Sequence, residues 1–307
     1  MQRTAIGNGI TKELKRNYDL YLLILPVVAY YVIFAYIPMY GIQLAFKDFF
    51  ANLGIWGSPF VGLQHFKRFF NMYNFSAIMS NTLGISLYSL AVGFPCNVIL
   101  ALMINEIGNK YFKKTVQLVT YAPHFISTVV MVGMLMIFVN PRYGPINQMI
   151  GLFGVKPIAF MNEPSMFKSL YVFSGVWQNV GFGSIIYLAA LSAIDLELHE
   201  AATIDGASRL QRIWHINIPG ITPTMVIMLI LAVGGIMNVG FEKVFLMQND
   251  LNRSASDVIS TYVYRTGLTQ GEYSFGTAVG LFNSVVNLIL IVTVNAIANR
   301  VGEGGLW

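Results

Sequence analysis

Four histidines, His65, His124, His199 and His215, and a single cysteine, Cys96, are the side chains of this 307-residue chain with the widest chemical repertoire. Their spacing gives them little to do together. No His-Glu-x-x-His arrangement and no paired cysteines occur, so no metal site is expected, and no nucleophile, base and acid fall into a pattern that nominates a catalytic residue. Cys96 lies in an apolar stretch, where a lone thiol behaves as a small core residue and no intramolecular disulfide can form. The dipeptide Gly-Lys occurs nowhere, which removes the Gly-rich phosphate loop and with it Walker-type nucleotide binding.

One polar stretch is patterned enough to do something. It runs Glu200-Ala201-Ala202-Thr203-Ile204-Asp205-Gly206 and on through Ala207, Leu210, Ile213 and Ile216 to Pro219. Asp195 can cap a helix containing Ala201, Ala202 and Ile204, and Gly206 can supply a bend. Beyond the bend, Ala207, Leu210 and Ile213 or Trp214 recur at helical spacing on one face with Arg209 and Arg212 on the other, until Pro219 is expected to stop the helix. Two short amphipathic helices meeting at a glycine need something to receive their apolar stripe. A lipid surface and a partner protein both satisfy that need.

A second set of residues is conspicuous for its surroundings. Asn179, Asn238, Glu242, Asn283 and Asn287 interrupt long apolar runs, where polar groups are costly unless they face a bundle interior or a wet cavity. Trp177 beside Gln178 and Asn179 offers the pairing of aromatic ring and amide that suits a sugar, with its apolar face and its hydroxyls. The alternative is hydrogen bonding between helices for the asparagines and, for Glu242, pairing with Lys243 or solvent.

The elements that must position these residues follow from composition. Hydrophobic residues make up 55% of the chain and charged residues 11%, about half the charged share of an ordinary soluble domain. Apolar runs long enough to cross a roughly 30 Å hydrocarbon layer recur at about Leu20 to Leu44, Ala77 to Ile104, Val116 to Val139, Leu170 to Ile194, Ile221 to Phe245 and Phe275 to Ala298. The expected fold is therefore all-α and membrane-integral, a single transmembrane domain over residues 1–307 with six spans and both termini on one side. The basic cluster Lys12-Lys15-Arg16 before the first span places the N-terminal segment, residues 1–19, and the loop at residues 195–220 in the cytoplasm. The net charge of +5 is scattered through short inter-span segments, the pattern that sets membrane topology, and nucleic-acid binding is not expected.

The loop also carries a spacing that resembles a known signature. Glu200-Ala201-Ala202, three residues, Gly206, nine residues, Ile216, one residue, an aliphatic residue and Pro219 is similar to the coupling loop of permease subunits of binding-protein-dependent ABC importers, with Ile218 where Leu is usual. Tyr36-Ile37-Pro38-Met39-Tyr40-Gly41, Ala45-Phe46-Lys47-Asp48, Val61-Gly62-Leu63-Gln64-His65-Phe66, Tyr121-Ala122-Pro123-His124-Phe125-Ile126-Ser127 and Gly304-Gly305-Leu306-Trp307 resemble the oligosaccharide and polysaccharide permease branch of that family. The resemblance implies a type I importer permease fold in a bacterial inner (cytoplasmic) membrane, with a coupling helix between the fourth and fifth spans. It implies an ATPase-coupling site made of Glu200, Ala201, Ala202, Asp205, Gly206, Ala207, Leu210, Ile213, Ile216 and Pro219. Trp177, Asn179, Asn238, Glu242 and Asn283 are then the substrate-pathway candidates. The implied partners are a second, different permease, two ATP-binding-cassette ATPase subunits that carry the ATP and Mg, an extracytoplasmic solute-binding protein, a carbohydrate substrate and membrane lipid. The chain itself would bind no cofactor and would not be an enzyme. A self-contained secondary carrier would be expected to show midplane charges, paired broken helices or a repeated half, and a membrane enzyme clustered acid, base or metal ligands near one interface; neither pattern is evident.

Overall fold

Long apolar helices dominate the computed structural model, which describes residues 16–301 and 305–306. The segment before Arg16, with Lys12 and Lys15, and the terminal residues Gly304 and Trp307 lie outside the described residues. Among the described residues, four helices are long and apolar enough to cross a membrane: α1 (Tyr18–Phe46, with widened and tightened turns along it), α2 (Phe75–Asn105), α7 (Arg209–Gly234) and α9 (Tyr273–Val301). Two further helix pairs pass the same test of length and apolarity only together, and each is sharply bent. Helix α3 (Lys110–Tyr121, extended by a 3-10 turn to Phe125) meets α4 (Thr128–Phe138) at 102°, and α5 (Pro164–Ser192) meets α6 (Leu196–Ile204) at 73°. The short α8 (Phe241–Met247) follows α7 after a break.

The structure departs from the sequence expectation at three helix ends, each for a local reason. The apolar run Val116 to Val139 is not one straight span. Pro123 cannot donate a helical hydrogen bond, and Ser127 caps a new helix by accepting from the Val130 backbone N–H at 3.4 Å, so the chain turns between them. The fifth span ends at Gly234 rather than near Phe245, because the paired glycines Gly234 and Gly235 terminate it. Pro219 does not stop the helix that begins at Arg209. A widened π turn, Ile213–Asn217, precedes Ile218–Gly234, and Pro219 sits in the first turn of that stretch, where a proline is tolerated.

Three apolar clusters hold the helices together. One joins Ile85, Met131, Val132, Phe167, Val239 and Val244; a second joins Val98, Ala101, Tyr187, Leu191 and Ile221; a third joins Phe69, Ile78, Ile236, Met237, Phe275 and Val279. Helices α2 and α5 run along one another through the first two. Helix α3 crosses α5 so closely that a Cβ on Gly181 would lie 2.0 Å from the Thr120 carbonyl oxygen. Without packing of hydrophobic origin between helices in lipid, such close approach through small residues is a main source of stability. In contrast, α1 buries only Ala45, and its Leu, Ile, Val and Tyr side chains point outward along its length.

The connections on the Pro164 side of α5 are tied down by buried amides. Asn81 of α2 donates to the Ser254 and Asp257 carbonyl oxygens at 2.9 and 3.2 Å, and Asn147 donates to the carbonyl oxygens of Val139, Asn140 and Ile158. Asp257 forms a two-point ion pair with Arg265 at 2.6 and 3.2 Å, and that hydrogen bond, foremost, holds the guanidinium pKa above its usual value. Substituting Gly181→Ala should lower the unfolding midpoint in mild detergent, by about 1–3 kcal/mol in stability, through a forced shift of α3 against α5. Gly133→Ala, at a position where a Cβ meets nothing within 4 Å, should leave the midpoint in place.

Candidate functional site: a polar cavity and an exposed loop

Between α2, α5, and the break after α7 lies a cavity of about 330 Å³ lined in part by Ser86, Ser89, Asn97, Tyr171, Asn238 and Gly240. It adjoins a second, about 270 Å³, through the shared residues Ser89, Gly93, Asn97 and Tyr171, and that second space reaches Gly175, Asn179 and Lys243. Residues with hydroxyl, amide and ammonium groups thus line two adjoining spaces inside the bundle, among apolar neighbours. Such groups give hydrogen bonds to a polar solute and hold water in its absence.

Local structure fixes each of these side chains. Asn238 stands in the non-helical stretch after Gly235, and its Oδ1 accepts from Asn283 Nδ2 at 2.8 Å and Asn287 Nδ2 at 3.2 Å, both on α9. Asn287 Oδ1 accepts in turn from the Met237 backbone N–H at 3.1 Å, which satisfies a donor freed by the end of α7. The Asn283 Oδ1 is buried with no hydrogen-bond partner. Asn179 donates to the Gly175 carbonyl oxygen at 3.0 Å and lies 3.0 Å from His124 Nδ1, while the His124 ring stacks on Phe182 with centroids 4.0 Å apart. Next to it, Gln178 donates to the Ile126 carbonyl oxygen at 2.8 Å and satisfies the backbone at the α3–α4 bend.

The five pathway candidates from sequence do not share one place. Asn238 and Asn283 are brought together, Asn179 lines the adjoining cavity, and Trp177 is turned to another face of α5. There it joins Met131, Met134, Phe138, Met166 and Phe173 around an apolar groove of about 450 Å³. Glu242 is exposed and makes no ion pair with Lys243. Lys243 points inward instead, with Nζ donating to the Tyr171 carbonyl oxygen at 2.7 Å and lying 4.4 Å from the Tyr171 ring centroid. Sequence reasoning missed Ser89, Asn97, Tyr171 and Lys243. For the serine and asparagine the available signal was their presence within an apolar run; for Lys243 only the reversal of the chain after Gly235 places it inside.

The loop of residues 195–220 is built as the sequence indicates up to Ser208. Asp195 caps α6 by accepting from the Glu197 backbone N–H at 3.0 Å. Gly206 has φ +78°, and the backbone N–H of Ala207 donates to the Ala202 carbonyl oxygen at 2.8 Å, a left-handed helix end that glycine takes without strain. Ser208 and Gln211 then form a reciprocal cap on α7, and Arg212 Nη1 donates to Thr203 Oγ1 at 2.8 Å, bracing α6 against α7. Glu200, Ala201, Asp205 and Pro219 are exposed, Ala202, Ala207 and Ile216 half-buried. The expected stripe of Ala207, Leu210 and Ile213 is divided: Leu210 is 70% exposed, whereas Ile213 packs on the cluster around Val98 and Ile221. The loop's exposed apolar surface comprises Leu196, Leu198, Ile204, Leu210 and Trp214, and Leu196 and Ile204 stand beside a shallow groove that also includes His199, Glu200, Thr203 and Arg212. Two elements of this loop reach the body: Asn217, fully buried, donates to Glu106 Oε1 at 3.5 Å, and Ile213 and Ile218 enter the cluster.

Residues 93–303 match the family described as binding-protein-dependent transport system inner membrane component, and that span contains the loop and most of the cavity. The chain belongs to this family. As a permease it is 43% identical to Protein LplB of Bacillus subtilis (strain 168) over 303 residues, 98% of this chain and 95% of that protein. It is 42% identical over 298 residues to the polygalacturonan/rhamnogalacturonan transport system permease protein YteP of the same organism, covering 97% and 92%. Among solved structures it resembles a chain of a bacterial alginate ABC transporter in complex with an alginate pentasaccharide-bound periplasmic protein, with TM-score 0.89 and 39% identity over 96% of this chain and 99% of that one. The permease fold is that of type I ABC importers, and the chain is a transport subunit, not a catalytic one.

In a Cys96→Ser background, Asn179→Cys and Ser89→Cys should react with a charged, water-soluble thiosulfonate reagent, because both line the polar cavity. Trp177→Cys should resist that reagent and react with an apolar maleimide, since its groove is apolar. Equal reactivity of all three with the charged reagent would contradict the separation of the two spaces.

Proposed function

We propose that this permease forms half of the membrane path of an ATP-driven importer for an oligosaccharide handed over by an extracytoplasmic binding protein. One observation carries the reading: a family match that covers the chain from Gly93 to Glu303 coincides with a cavity in the bundle lined in part by serine, asparagine, tyrosine and lysine residues. The relatives' polysaccharides, polygalacturonan or rhamnogalacturonan and alginate, support a carbohydrate cargo. Asn238, Asn283 and Asn179 are then pathway residues, and Ser89, Asn97 and Tyr171 join them.

The partners are those that the family implies. The chain acts as one transmembrane domain in a bacterial inner membrane with both termini in the cytoplasm, which puts α6 and the start of α7 on the cytoplasmic side. There Leu196, Ile204 and Leu210 dock onto an ATPase subunit, with Glu200, Ala201, Ala202, Asp205, Gly206 and Ala207 shaping the helix pair and Ile213, Ile216 and Pro219 anchoring it to the fifth span. ATP and Mg reside on two such ATPase subunits. A second, different permease completes the path, and lipid covers the remaining apolar surface.

Affinity purification in mild detergent from the native membrane tests this reading through what stays bound: an ATPase and a second permease are expected. Ile204→Asp should reduce recovery of the ATPase by placing a charge in the docking face. Gly206→Leu, which forces a branched side chain into a left-handed backbone, should leave the chain in the membrane and uncouple ATP hydrolysis from uptake. Recovery of the chain alone, active for transport in liposomes, would replace the importer by a secondary carrier.

A further inference from the structure

Lys243 is nine-tenths buried, and among the described residues no carboxylate lies within ion-pairing distance of it. Its Nζ has one hydrogen bond, to the Tyr171 carbonyl oxygen at 2.7 Å, and leaves two of three N–H groups unused. Glu242, next in the chain, is exposed, and Asp257 is paired with Arg265. A buried ammonium without a counter-ion is costly, and an apolar side chain in the same place would avoid that cost. The fold nevertheless makes room for it. Gly175 on α5 has no Cβ, and one built there would stand 3.0 Å from Nζ. At 1.5 Å per residue, Tyr171 and Gly175 lie about 10 and 17 Å along α5 from its Pro164 end, well within the thickness of a bilayer. Lys243 lines the cavity that Ser89, Asn97 and Asn179 also line, the space assigned to the cargo.

We propose that Lys243 is an anion-reading group of the translocation path, and that the cargo is an oligosaccharide bearing carboxylates, which pass the Lys243 ammonium in turn. The inference rests on the importer reading above and goes further, since neutral sugars would need only the amides and hydroxyls. Asn179, already oriented by Gly175 and His124, supplies an amide for neighbouring hydroxyls.

The test uses the complete importer, purified with its partner subunits, reconstituted in proteoliposomes with its binding protein and loaded with ATP. The probes are oligosaccharide pools from polygalacturonate and from alginate, each before and after methyl esterification of the carboxylates, and a neutral pool from starch; the sugars that enter are identified by mass. Entry of an acidic pool in preference to its ester is expected, and Lys243→Met should reduce that entry by about tenfold or more while Lys243→Arg retains most of it. Recovery of the partner subunits with each variant shows that the complex has assembled, and the comparison of acid with ester in the unaltered importer holds whether or not Lys243→Met assembles. Esters or starch oligosaccharides entering as readily as acids, or Lys243→Met lowering entry of charged and neutral sugars alike, would overturn the anion-reading role and leave the importer standing. Entry of no pool at all, with ATP hydrolysis and assembly intact, would overturn the carbohydrate reading itself and the role of Lys243 with it.

Discussion

A chain that crosses hydrocarbon must satisfy every backbone N–H and C=O from within the protein, so a break in a spanning helix survives only where side chains take over the lost hydrogen bonds. Two breaks interrupt the apolar spans here. At the α3–α4 bend, Gln178 accepts the task by donating to the Ile126 carbonyl oxygen, and Ser127 caps the helix that follows. At the break after Gly234, Asn287 accepts from the Met237 N–H, and Ser260 donates to the Val239 carbonyl oxygen at 3.4 Å. The amides doing this work stand on α5 and α9, and those helices also carry Asn179 and Asn283. Polar side chains are thus admitted to the bundle first by a backbone requirement, and the cavity gathers around them.

This origin explains why the site was only partly legible in the sequence. Length and apolar content locate six spanning regions, because a hydrocarbon layer imposes a minimum run. They do not locate the bend at Ile126 and Ser127, since hydropathy is continuous through Val116 to Val139; Pro123 and Ser127 were the local signals. For the same reason the fifth span was drawn to Phe245, and the glycine pair at 234 and 235 was outweighed by the apolar residues after it. Lys243 then looked like a charge at a span's outer end. Its inward course depends on α8 packing against α4 and the Phe167 cluster, a tertiary contact that no local pattern encodes.

The loop was more legible because its features are local. The Asp195 cap and the left-handed glycine at 206 are where the sequence puts them, and the reciprocal Ser208–Gln211 pair, equally local, was there to be read but was not. What failed was the assignment of faces. Ala207 precedes the second helix, which begins at Arg209 and runs on into the fifth span, so Ile213 packs on the body while Leu210, one turn earlier, stays exposed.

That continuity bears on how, on the proposed importer reading, a movement of the loop would reach the cavity. From Arg209 to Gly234 the chain is one helical element of 26 residues, about 39 Å long at 1.5 Å per residue. Its loop end is braced to α6 by Arg212 and Thr203, and its far end stops at the Gly235–Gly240 break where Asn238 enters the cavity. On the importer reading, a push on α6 has no compliant joint to absorb it before that break, apart from the π turn, which Asn217 and Ile213 lock to α2 and α5. The compliance is instead concentrated beside Asn238 and, one short turn further, Lys243. A displacement at the loop therefore emerges as a change in the shape of the polar cavity, and the residues that would hold a cargo are the ones mounted on the moving joint.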